Sequence, residues 1–525
     1  MGKEKNIRIG IDVGGTNTDA ILMDGSKVCV SIKVPTSGDI GSGVAAAARA
    51  VMEQADVKAE DIDQVMIGTT QFTNAFIERK QLVEVAVIRI ALPATTSILP
   101  YTDWPADLRT VVGNNIFLVH GGNEFDGREI TALREEEIMA VARQIRQRNI
   151  TAVAISSLFS AIDISMEERA AEILKRECPG VKITLSNEIG RLGLIERENA
   201  TIMNASLSNF VETVVGGFRA ALEELKIDAP LFVSQNDGTL MSEDYVAKYP
   251  VLTFASGPTN SMRGAANLTA REEAIVVDIG GTTTDVGVLT NGFPRESSIP
   301  VDIGGVRTNF RMPDILSIGL GGGSIVRQKG NGDIQIGPDS VGYRLTDDAL
   351  VFGGDIMTVT DVIVAGGHAT LGDPDRVAHL DKDFVRQVED KIHAMIETAV
   401  DRMKTSKEDT PVILVGGGSI IVSRDLKGTS ELLIPENFGV ANAIGAAIAQ
   451  VGGEVDRIYS YTELGREKAL AAAKQEAQEN CLNAGASPES IKIVDIEELP
   501  LSYLPGGAVR LRVKVVGELL ETTSA

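Results

Sequence analysis

The sequence predicts a mixed α/β protein made of two related halves with a ligand-binding cleft between them. Three observations lead to this prediction. A short motif occurs twice, apolar strands alternate with helical segments from residue 7 to about residue 190, and a third strand ends in a glycine triplet. Alternating strands and helices are typical of parallel or mixed sheets that are covered by helices.

The repeated motif reads IDVGGTNTD at 11–19 and VDIGGTTTD at 277–285. When Asp12 is aligned with Asp278, the glycines, the threonines and the final aspartate of the two copies coincide. An aliphatic strand precedes each copy and a second apolar strand follows it. An internal repeat indicates a duplicated structural unit, and one nucleotide site between the two copies is the simplest interpretation.

Each copy of the motif has residue types that hold phosphate. Adjacent glycines allow a sharp turn and let backbone N–H groups approach an anion closely, and the neighbouring hydroxyl groups add further donors. The alternative interpretation is a pair of hairpins in which G-G-T only makes a tight turn. The expected phosphate-binding residues are Gly14, Gly15, Thr16, Asn17 and Thr18 in the first copy, and Gly280, Gly281, Thr282, Thr283 and Thr284 in the second.

Asp12 and Asp278 are the candidate catalytic and metal-binding residues. A carboxylate repels phosphate but holds Mg²⁺, usually through water, and the Mg²⁺ then bridges phosphate oxygens. A carboxylate can also act as a general base toward the group that is phosphorylated. ATP and Mg²⁺ are therefore the expected cofactors. The pattern leaves open which aspartate holds the metal and which is the base.

The strand VILVGGGSI at 412–420 predicts the adenosine contacts. Without side chains, Gly416, Gly417 and Gly418 let a flat base and a ribose lie against the backbone. A helix of small residues is expected to follow at 440–453. The alternative interpretation is an ordinary turn from a strand into a helix.

We expect three segments in the chain: a first half at 1–195, a second half at 196–455 that contains the second phosphate motif and the glycine triplet, and a small C-terminal α/β subdomain at 456–525. The spacing of apolar residues predicts the principal helices. These helices are expected over 41–56, 131–149, 196–226, 382–404 and 461–484.

The composition excludes several classes of function. The 525 residues have a formal net charge of −23, which disfavours nucleic-acid binding. Cys29, Cys178 and Cys481 lie far apart in the sequence, which disfavours a disulfide framework and a zinc site. The N-terminal residues are charged and no apolar run is long enough to span a bilayer. We therefore expect a cytoplasmic protein without membrane contacts.

In the order of its motifs, the chain resembles the superfamily of acetate kinase, hexokinase and actin, which has a duplicated actin-like (ribonuclease H-like) ATPase fold. More narrowly, it resembles the hydantoinase A/5-oxoprolinase family over nearly the whole chain. The segments that support this resemblance are IGIDVGGTNTDAIL (9–22), IGTTQFTNAFIERK (67–80), ERENATIMNA (196–205), SQNDGTLMS (234–242), SGPTNSMRGA (256–265), VVDIGGTTTDVGVL (276–289), DILSIGLGGGSI (314–325), TVTDVIVAGG (358–367) and LPLSYLPGGAVRLRV (499–513).

The resemblance implies an ATP-dependent hydrolase subunit that phosphorylates the carbonyl oxygen of a hydantoin, an oxoproline or another lactam, after which the ring opens. It also implies a companion subunit and a homo- or hetero-oligomer. Two other enzymatic functions stay open: a small-molecule kinase that releases a stable phosphoester, and a subunit that activates a carbonyl compound in a carboxylase-like complex. A non-enzymatic switch driven by ATP is a further alternative, but the chain lacks the clustered cysteines of reductase activators.

Six polar residues are candidates for the substrate end of the cleft. Polar residues that follow a strand face the cleft in α/β sheets, and an arginine can clamp a carboxylate or a carbonyl. The alternative for each residue is hydrogen bonding within a loop or at a helix cap. The six candidates are Thr69, Thr70, Asn74, Arg197, Asn236 and Asp237. Three weaker candidates for a metal ligand or a base are Asp314, Asp361 and His368.

The chain departs from the family pattern in the region that would face the substrate. Ile67 occupies the position of the usual histidine before the G-T-T segment, and Asn187 occupies the position of the usual histidine in an S-H-E segment. The segment 91–105 replaces the usual glycine–phenylalanine–arginine–aspartate stretch. The sequence therefore supports the ATP end of the cleft more strongly than any particular substrate.

Overall fold

A computed structural model of the chain describes residues 6–14, 17–35, 40–297, 299–330, 332–448, 450–502, 504 and 506–520. Gly15 and Thr16, two of the expected phosphate ligands, lie outside the described residues.

The first part of the chain alternates between strands and helices, as its sequence predicts. Its strands are β1 (Ile7–Val13), β2 (Asn17–Asp24), β3 (Lys27–Pro35), β4 (Gln64–Thr69), β5 (Val85–Leu92), β6 (Asn115–His120), β7 (Ala152–Ser157), β8 (Lys182–Leu185), β9 (Leu231–Ser234) and β10 (Leu240–Ser242). Its helices are α1 (Ile40–Ala55), α2 (Gln71–Ile77), α3 (Ala106–Val112), α4 (Glu135–Gln147), α5 (Ser165–Glu177), α6 (Ser186–Ile189), α7 (Leu194–Ser206), α8 (Phe210–Leu225), α9 (Glu243–Lys248) and α10 (Ser256–Thr269).

The second part of the chain begins at the second copy of the motif. Its strands are β11 (Ala274–Ile279), β12 (Thr284–Thr290), β13 (Phe293–Pro294), β14 (Val301–Ile303), β15 (Val306–Thr308), β16 (Ile315–Ile318), β17 (Ser324–Gln328), β18 (Ile334–Ser340), β19 (Thr410–Val415), β20 (Thr429–Leu433), β21 (Gln450–Ser460), β22 (Lys492–Pro500) and β23 (Ala508–Glu518). Its helices are α11 (Leu345–Asp348), α12 (Val359–Ala365), α13 (Lys382–Met403), α14 (Ala441–Ala446), α15 (Tyr461–Leu464) and α16 (Arg466–Asn483).

The largest sheet has nine strands in the order β22-β23-β21-β10-β9-β4-β1-β2-β3. β1 pairs with β4 in parallel and with β2 in antiparallel orientation, and Asp12 lies opposite Asp19 in the second pair. β1 and β4 are buried along almost their whole length because helices cover both faces of this part of the sheet. The first copy of the motif is therefore held at the carboxyl end of a central, buried strand.

A second sheet repeats this arrangement in the order β13-β12-β11-β19-β20, and β16 also pairs with β12. β11 pairs with β19 in parallel and with β12 in antiparallel orientation, and Asp278 lies opposite Asp285. Strand for strand, β11, β12, β16 and β19 correspond to β1, β2, β3 and β4. The predicted duplicated α/β fold is confirmed.

Two further units extend this duplicated framework. The parallel sheet β6-β5-β7-β8 has its own core, to which α4 and α5 contribute. At the C-terminal end, α16 packs on β21 and β23 through the buried residues Ala469, Ala473, Ala477 and Cys481. β21 joins the nine-stranded sheet by pairing with β10. The nine-stranded sheet thus contains strands from all three expected segments, and the division at 195 and 455 stays a prediction.

Three of the expected helices differ in the structure. The helix expected over 196–226 is two helices, α7 and α8, which are separated at 207–209. The helix expected over 461–484 is interrupted by Gly465, whose φ of +79° is outside the helical range. The helix expected over 440–453 ends at Ala446, because the following residues enter β21. The small residues at 447–453 resemble the helix before them, so local propensity did not predict the start of β21. The pairing of β21 with β10 in the large sheet determines its conformation.

Candidate active site in the cleft between the halves

Equivalent backbone hydrogen bonds join the ends of the two hairpin strands in the two copies of the motif. The backbone N–H of Gly14 donates to the carbonyl of Asn17 at 3.1 Å, and that of Gly280 donates to the carbonyl of Thr283 at 2.9 Å. Gly281, Thr282 and Thr283 are exposed to solvent. Thr18 and Thr284 are buried behind the turns, so their side chains stabilise the hairpins and do not line the cleft.

Asp12 is buried at the end of β1, with only 4% of its surface exposed. Its carboxylate accepts hydrogen bonds from the side-chain amides of Asn260 at 3.3 Å and Asn442 at 3.0 Å. Burial raises the pKa of Asp12 to about 6, and repulsion by the nearby Asp19 adds to this effect. The two amide hydrogen bonds and the charge of Lys33 act in the opposite direction.

Asp278 occupies the equivalent place in the second half. Part of the residue faces the cleft, but protein encloses its carboxylate, and this loss of hydration raises its pKa to about 7. A hydrogen bond from Ser261 opposes the increase, whereas the charges of Asp285 and Asp12 add to it. The carboxylate of Asp12 therefore lies close enough to Asp278 for its charge to raise the pKa of Asp278.

The two halves differ at the residue beside the second aspartate of the motif. Lys33 on β3 lies opposite Asp19, and the ammonium and carboxylate groups are 2.5 Å apart. At the equivalent place, Ser317 on β16 lies opposite Asp285 and donates a hydrogen bond to it. A cation is therefore paired with Asp19 in the first half, whereas a neutral hydroxyl occupies the equivalent place in the second half. The charge of Lys33 also lowers the pKa of Asp278.

Two glycine loops pack against the second hairpin turn. The N–H of Gly418 donates to the carbonyl of Ile279 at 2.7 Å, and the N–H of Gly322 donates to the carbonyl of Gly280 at 3.1 Å. A Cβ atom at Gly416 would lie 2.2 Å from the carboxylate of Asp278, and the φ of this residue is +84°. The glycine triplet is therefore adjacent to the second phosphate motif, and its contact with adenosine stays a prediction.

A cavity of about 390 Å³ lies between these elements and has lining residues from both halves. Polar groups line one portion of it, and the side chains of Leu345, Leu371 and Ile420 contribute an apolar portion. The other lining residues are Gly14, Asn17, Asp19, Lys33, Ser261, Asp278, Gly280, Gly281, Gly322, Thr360, Gly416, Gly417, Gly418, Gly439, Ala441 and Asn442.

Of the six expected substrate residues, Thr69, Thr70 and Asn74 lie next to the first hairpin. β4 ends at Thr69, which is fully buried, and Val13 is its partner on β1. Thr70 donates to the carbonyl of Val13, and Asn74 donates to the hydroxyl of Thr70, both at 3.4 Å. These residues are close to the carboxylate of Asp12 because Gly68 lies directly opposite it in the sheet.

The structure places Arg197 elsewhere, in a buried network. Its guanidinium donates to the hydroxyl of Ser186 at 3.0 Å and to the carbonyl of Ser157 at 2.7 Å, and only 1% of the residue is exposed. The nearby Glu167 accepts from Ser186 at 2.5 Å. Arg197 thus fastens α7 to β7 and α6, and its hydrogen bonds are directed to protein atoms.

Asn236 and Asp237 also belong to a network within the protein. The amide of Asn236 donates to the carbonyl of Arg311 at 2.6 Å. The carboxylate of Asp237 is 3.1 Å from both the Arg311 guanidinium and the Lys514 ammonium. Although burial opposes it, these two cations hold the pKa of Asp237 far below its usual range. This network connects β23 to the segment after β9.

The three weaker candidates have partners in the protein. Asp361 accepts from the backbone and the hydroxyl of Thr358 at the start of α12, in a reciprocal helix cap. Asp314 pairs with Arg295 at 2.6 Å, and His368 lies 3.1 Å from Glu389. Within the described part of the chain, no three His, Cys, Asp or Glu side chains are grouped so as to hold a metal ion by themselves.

Four residues at the cleft had not been singled out from the sequence: Lys33, Asn260, Ser261 and Asn442. Asn260 and Ser261 lie in the family segment SGPTNSMRGA, but nothing in that segment shows which atoms they contact. Asn442 is 430 positions from Asp12 in sequence, and no local pattern relates the two residues.

The duplicated fold, with a hairpin turn and an aspartate from each half facing one cleft, defines an α/β protein of the actin-like ATPase fold class. Two family models match the chain. The N-terminal region of the hydantoinase/oxoprolinase family matches residues 8–178, and the hydantoinase/oxoprolinase model matches residues 197–370. The chain belongs to the hydantoinase/oxoprolinase family.

Two relatives with assigned functions are subunits of larger enzymes. Caprolactamase subunit alpha of Pseudomonas jessenii is 29% identical over 398 residues, which are 71% of this chain and 56% of that protein. The acetophenone carboxylase gamma subunit of Aromatoleum aromaticum is 26% identical over 397 residues, 69% of this chain and 53% of that protein. The chain thus spans about half the length of these two relatives.

Two solved structures share the fold over nearly the whole chain. The ATP-dependent caprolactamase from Pseudomonas jessenii superposes with a TM-score of 0.77 at 21% identity, and nucleotide-free acetone carboxylase superposes with a TM-score of 0.68 at 17% identity. In both comparisons, 98% of this chain and 88% of the other chain are covered. No helix in the described part of the chain has the length and the apolar character required to cross a membrane.

Proposed function

We propose that the protein is an ATP-dependent enzyme subunit that phosphorylates the carbonyl oxygen of a cyclic amide and thereby activates the ring for opening by water. The observation that carries this proposal is the cleft itself, where the two glycine motifs, Asp19 and Asp278 line one cavity, and the buried Asp12 lies close enough to raise the pKa of Asp278. Membership of the hydantoinase/oxoprolinase family supports the choice of an amide substrate.

In this proposal the triphosphate lies between the two turns. Backbone N–H groups at the exposed turn of Gly281 to Thr283 donate to phosphate oxygens, and Lys33 supplies a positive charge from the other side of the cavity. The nucleoside lies toward Gly416–Gly418, where Leu345 and Ile420 provide apolar surface for the base. The polar and apolar portions of the cavity match the two ends of a nucleotide.

The carboxylates of the cleft suit Mg²⁺ bound to a nucleotide. Mg²⁺ in such sites takes one or two carboxylates, keeps several waters and shares phosphate oxygens, so a cluster of three protein ligands is not needed. Burial raises the pKa of both Asp12 and Asp278, which indicates that the enclosed negative charge lacks full compensation. Bound Mg²⁺ would supply that compensation and neutralise charge on the transferring phosphoryl group.

The chemistry follows from the weakness of an amide as an electrophile. The carbonyl oxygen of the substrate forms a bond to the γ-phosphorus while the bond to the ADP oxygen breaks. Water then adds to the activated carbon, and the ring C–N bond breaks as the amine leaves with a proton, which gives an acyl phosphate. A second water adds to the same carbon, phosphate leaves with the former carbonyl oxygen, and a carboxylate remains. Thr70 and Asn74, next to Asp12, are placed to orient the amide.

A second candidate is a carbonyl-activating subunit of a carboxylase-like complex. The match to the acetophenone carboxylase gamma subunit and the fold shared with acetone carboxylase support it. The phosphoryl acceptor would then be the oxygen of an enolised ketone. The nucleophilic enol carbon would form a bond to carbon dioxide derived from bicarbonate, while the oxygen–phosphorus bond breaks, the ketone forms again and the phosphoryl group passes to water. A companion subunit is proposed in both cases, since the chain spans about half of its functionally assigned relatives.

An oxygen-18 experiment tests the proposal. Lactams, hydantoins and 5-oxoproline labelled at the carbonyl are incubated with ATP and the protein, with and without co-purified partners, and the phosphate is analysed by mass spectrometry. We expect the label in inorganic phosphate. A stable phosphoester without ring opening would favour a kinase, and turnover that depends on a ketone and bicarbonate would favour the carboxylase-like function. ATP hydrolysis that leaves all label in the carboxylate product would contradict the departure of phosphate with the carbonyl oxygen.

A further inference from the structure

Two helices, α10 and α14, cross between the halves at very short range. A Cβ atom at Gly264 would lie 1.9 Å from the carbonyl oxygen of Ala441, and a Cβ atom at Gly445 would lie 1.8 Å from the carbonyl oxygen of Asn260. The two contacts are equivalent, because each joins a glycine to the residue four positions before the other glycine. The crossing therefore has the approximate twofold symmetry of the duplicated fold.

Each of the two helices packs against the sheet of the half to which it does not belong in sequence. α10 follows the strands of the first half, yet its residues Met262 and Ala265 pack with Val276 and Ile413 of the second sheet. α14 follows the strands of the second half, yet its residue Ile444 packs against the strand β2 of the first sheet. Each helix is thus a covalent part of one half and a packing partner of the other.

Ala441 and Asn260 are the residues whose carbonyl groups contact the glycines at the crossing. The next residue in each helix, Asn442 or Ser261, lies near the aspartate of the opposite half. The amide of Asn442 donates to Asp12 at 3.0 Å and to Asp19 at 2.8 Å. At the equivalent position of α10, the buried Ser261 lines the same cavity as Asp278, and its hydroxyl lowers the pKa of that carboxylate. In the duplicated fold, each helix therefore brings a polar side chain to the carboxylate at the end of the opposite sheet.

We propose that Asn442 and Ser261 are positioning residues that fix Asp12 and Asp278 relative to each other by holding each carboxylate to the helix contributed by the opposite half. This inference rests on the proposed ATP chemistry. A rotation of the halves about the crossing displaces atoms near the crossing least. In this proposal, the halves rotate about the crossing when a nucleotide binds. The glycine turns then move toward the nucleotide, and the two carboxylates keep their separation.

The chemical identity of Asn442 fits this role. One amide group donates to two carboxylates and holds them side by side without neutralising either, so their negative charge stays available to a metal–phosphate complex. A lysine at this position would form ion pairs and remove that charge. Loss of the amide leaves two buried carboxylates to repel each other, with Lys33 as the nearby cation.

The test compares Asn442→Ala and Asn442→Ser with the wild-type protein, and uses Asn267→Ala on the exposed side of α10 as the matched control. ATP affinity is measured by calorimetry, and the single-turnover rate of bound ATP is measured by rapid quench. We expect ATP affinity to change less than about threefold, because the glycine turns are untouched, and the turnover rate of Asn442→Ala to fall by roughly 30-fold or more through misplacement of the carboxylates. Asn442→Ser should recover part of the rate, since a hydroxyl donates to one carboxylate as Ser261 does.

The outcomes separate the role of Asn442 from the proposed function. An unchanged turnover rate in Asn442→Ala, in a wild-type protein that hydrolyses ATP, would overturn the positioning role alone. The positioning role would also be overturned if Asn442→Ala and Asn442→Ser lost the same fraction of the turnover rate and the same amount of thermal stability. Such a result would indicate a purely structural contact. A folded wild-type protein that neither binds nor hydrolyses ATP would refute the proposed function, and this inference with it.

Discussion

At the scale of single residues, close packing determines where the two carboxylates lie. The positions that Cβ atoms would occupy at Gly68 and Gly416 lie 2.3 Å from Asp12 and 2.2 Å from Asp278, respectively. Both glycines belong to strands or strand ends that pair in parallel with the strand of the aspartate. The absence of a side chain at these glycines leaves space for the carboxylates, whose positions also depend on polar contacts such as the hydrogen bond from Asn442 to Asp12.

The Gly416→Ala substitution tests this steric role. The added methyl group would collide with the carboxylate of Asp278, and the φ of +84° disfavours a side chain. We expect ATP turnover to fall by roughly tenfold or more, because small displacements of catalytic groups have large effects on rate. Gly330→Ala is the control, since no atom lies within 4 Å of the added carbon. Equal turnover in both variants would contradict the steric role.

Lys33 makes the two halves chemically unequal. Its ammonium group pairs with Asp19 and lines the cavity, whereas Ser317 occupies the equivalent place in the second half. For Lys33→Met we expect the KM for ATP to rise by roughly tenfold, since one charge near the phosphates is lost. Lys27→Met on the same strand removes an exposed charge and serves as the control. If the two variants have the same KM, Lys33 does not contact the nucleotide.

At the scale of elements, the crossing of α10 and α14 joins the halves through backbone contact. We expect Gly264→Ala to lower the free energy of unfolding by about 1–3 kcal/mol, because the added methyl group has no space beside the carbonyl of Ala441. Gly216→Ala in α8 meets no atom within 4 Å and should raise stability by up to ~1 kcal/mol. Urea unfolding measures both values. A neutral Gly264→Ala substitution would show that the helices do not touch as described.

A buried ionic network joins the C-terminal strands to the rest of the molecule. Glu296 lies 3.3 Å from Lys514 and 2.8 Å from both Arg191 and Arg512. Burial alone would raise the pKa of Glu296, but these cations and Arg311 lower it to about 2. The network thus fixes β23 against the segment after β13.

This network predicts how stability depends on pH. The folded-state pKa of Glu296 lies below its ordinary value of 4.5, so its contribution is fully present above pH 4.5 and is lost as the pH falls toward 2. The difference in unfolding free energy between the wild-type protein and Glu296→Gln should therefore shrink between pH 5 and pH 3. Glu53→Gln, at an exposed position, is the control. A difference that is constant over this range would contradict the ionic role of Glu296.

At the scale of the whole molecule, the sequence repeat predicted the duplicated fold because each copy of the motif specifies its hairpin locally. Strand, glycine turn and strand are encoded within nine residues, and the two copies then require related sheets. The glycine triplet likewise ends a locally encoded strand, and the structure shows that it lies beside the second turn. Local sequence patterns were therefore sufficient to predict the features that consist of a single strand and the turn after it.

The remainder of the site depends on contacts between distant parts of the chain. The contact between Asn442 and Asp12 depends on the crossing of α10 and α14, and no spacing in the sequence encodes that crossing. Arg197, expected at the substrate end, satisfies its hydrogen bonds in a buried network. A charged residue in a conspicuous sequence segment can serve folding as well as catalysis, and the sequence does not distinguish the two.

The central claim is that Asp12 and Asp278 act together on one bound ATP. The most direct test is the rate of ATP turnover, with its stimulation by a lactam, in folded Asp12→Asn and Asp278→Asn proteins. Each substitution keeps the size of the side chain and removes its charge. We expect each variant to lose at least ~100-fold in turnover with circular dichroism and thermal unfolding close to those of the wild-type protein. Undiminished turnover in both variants would contradict the account.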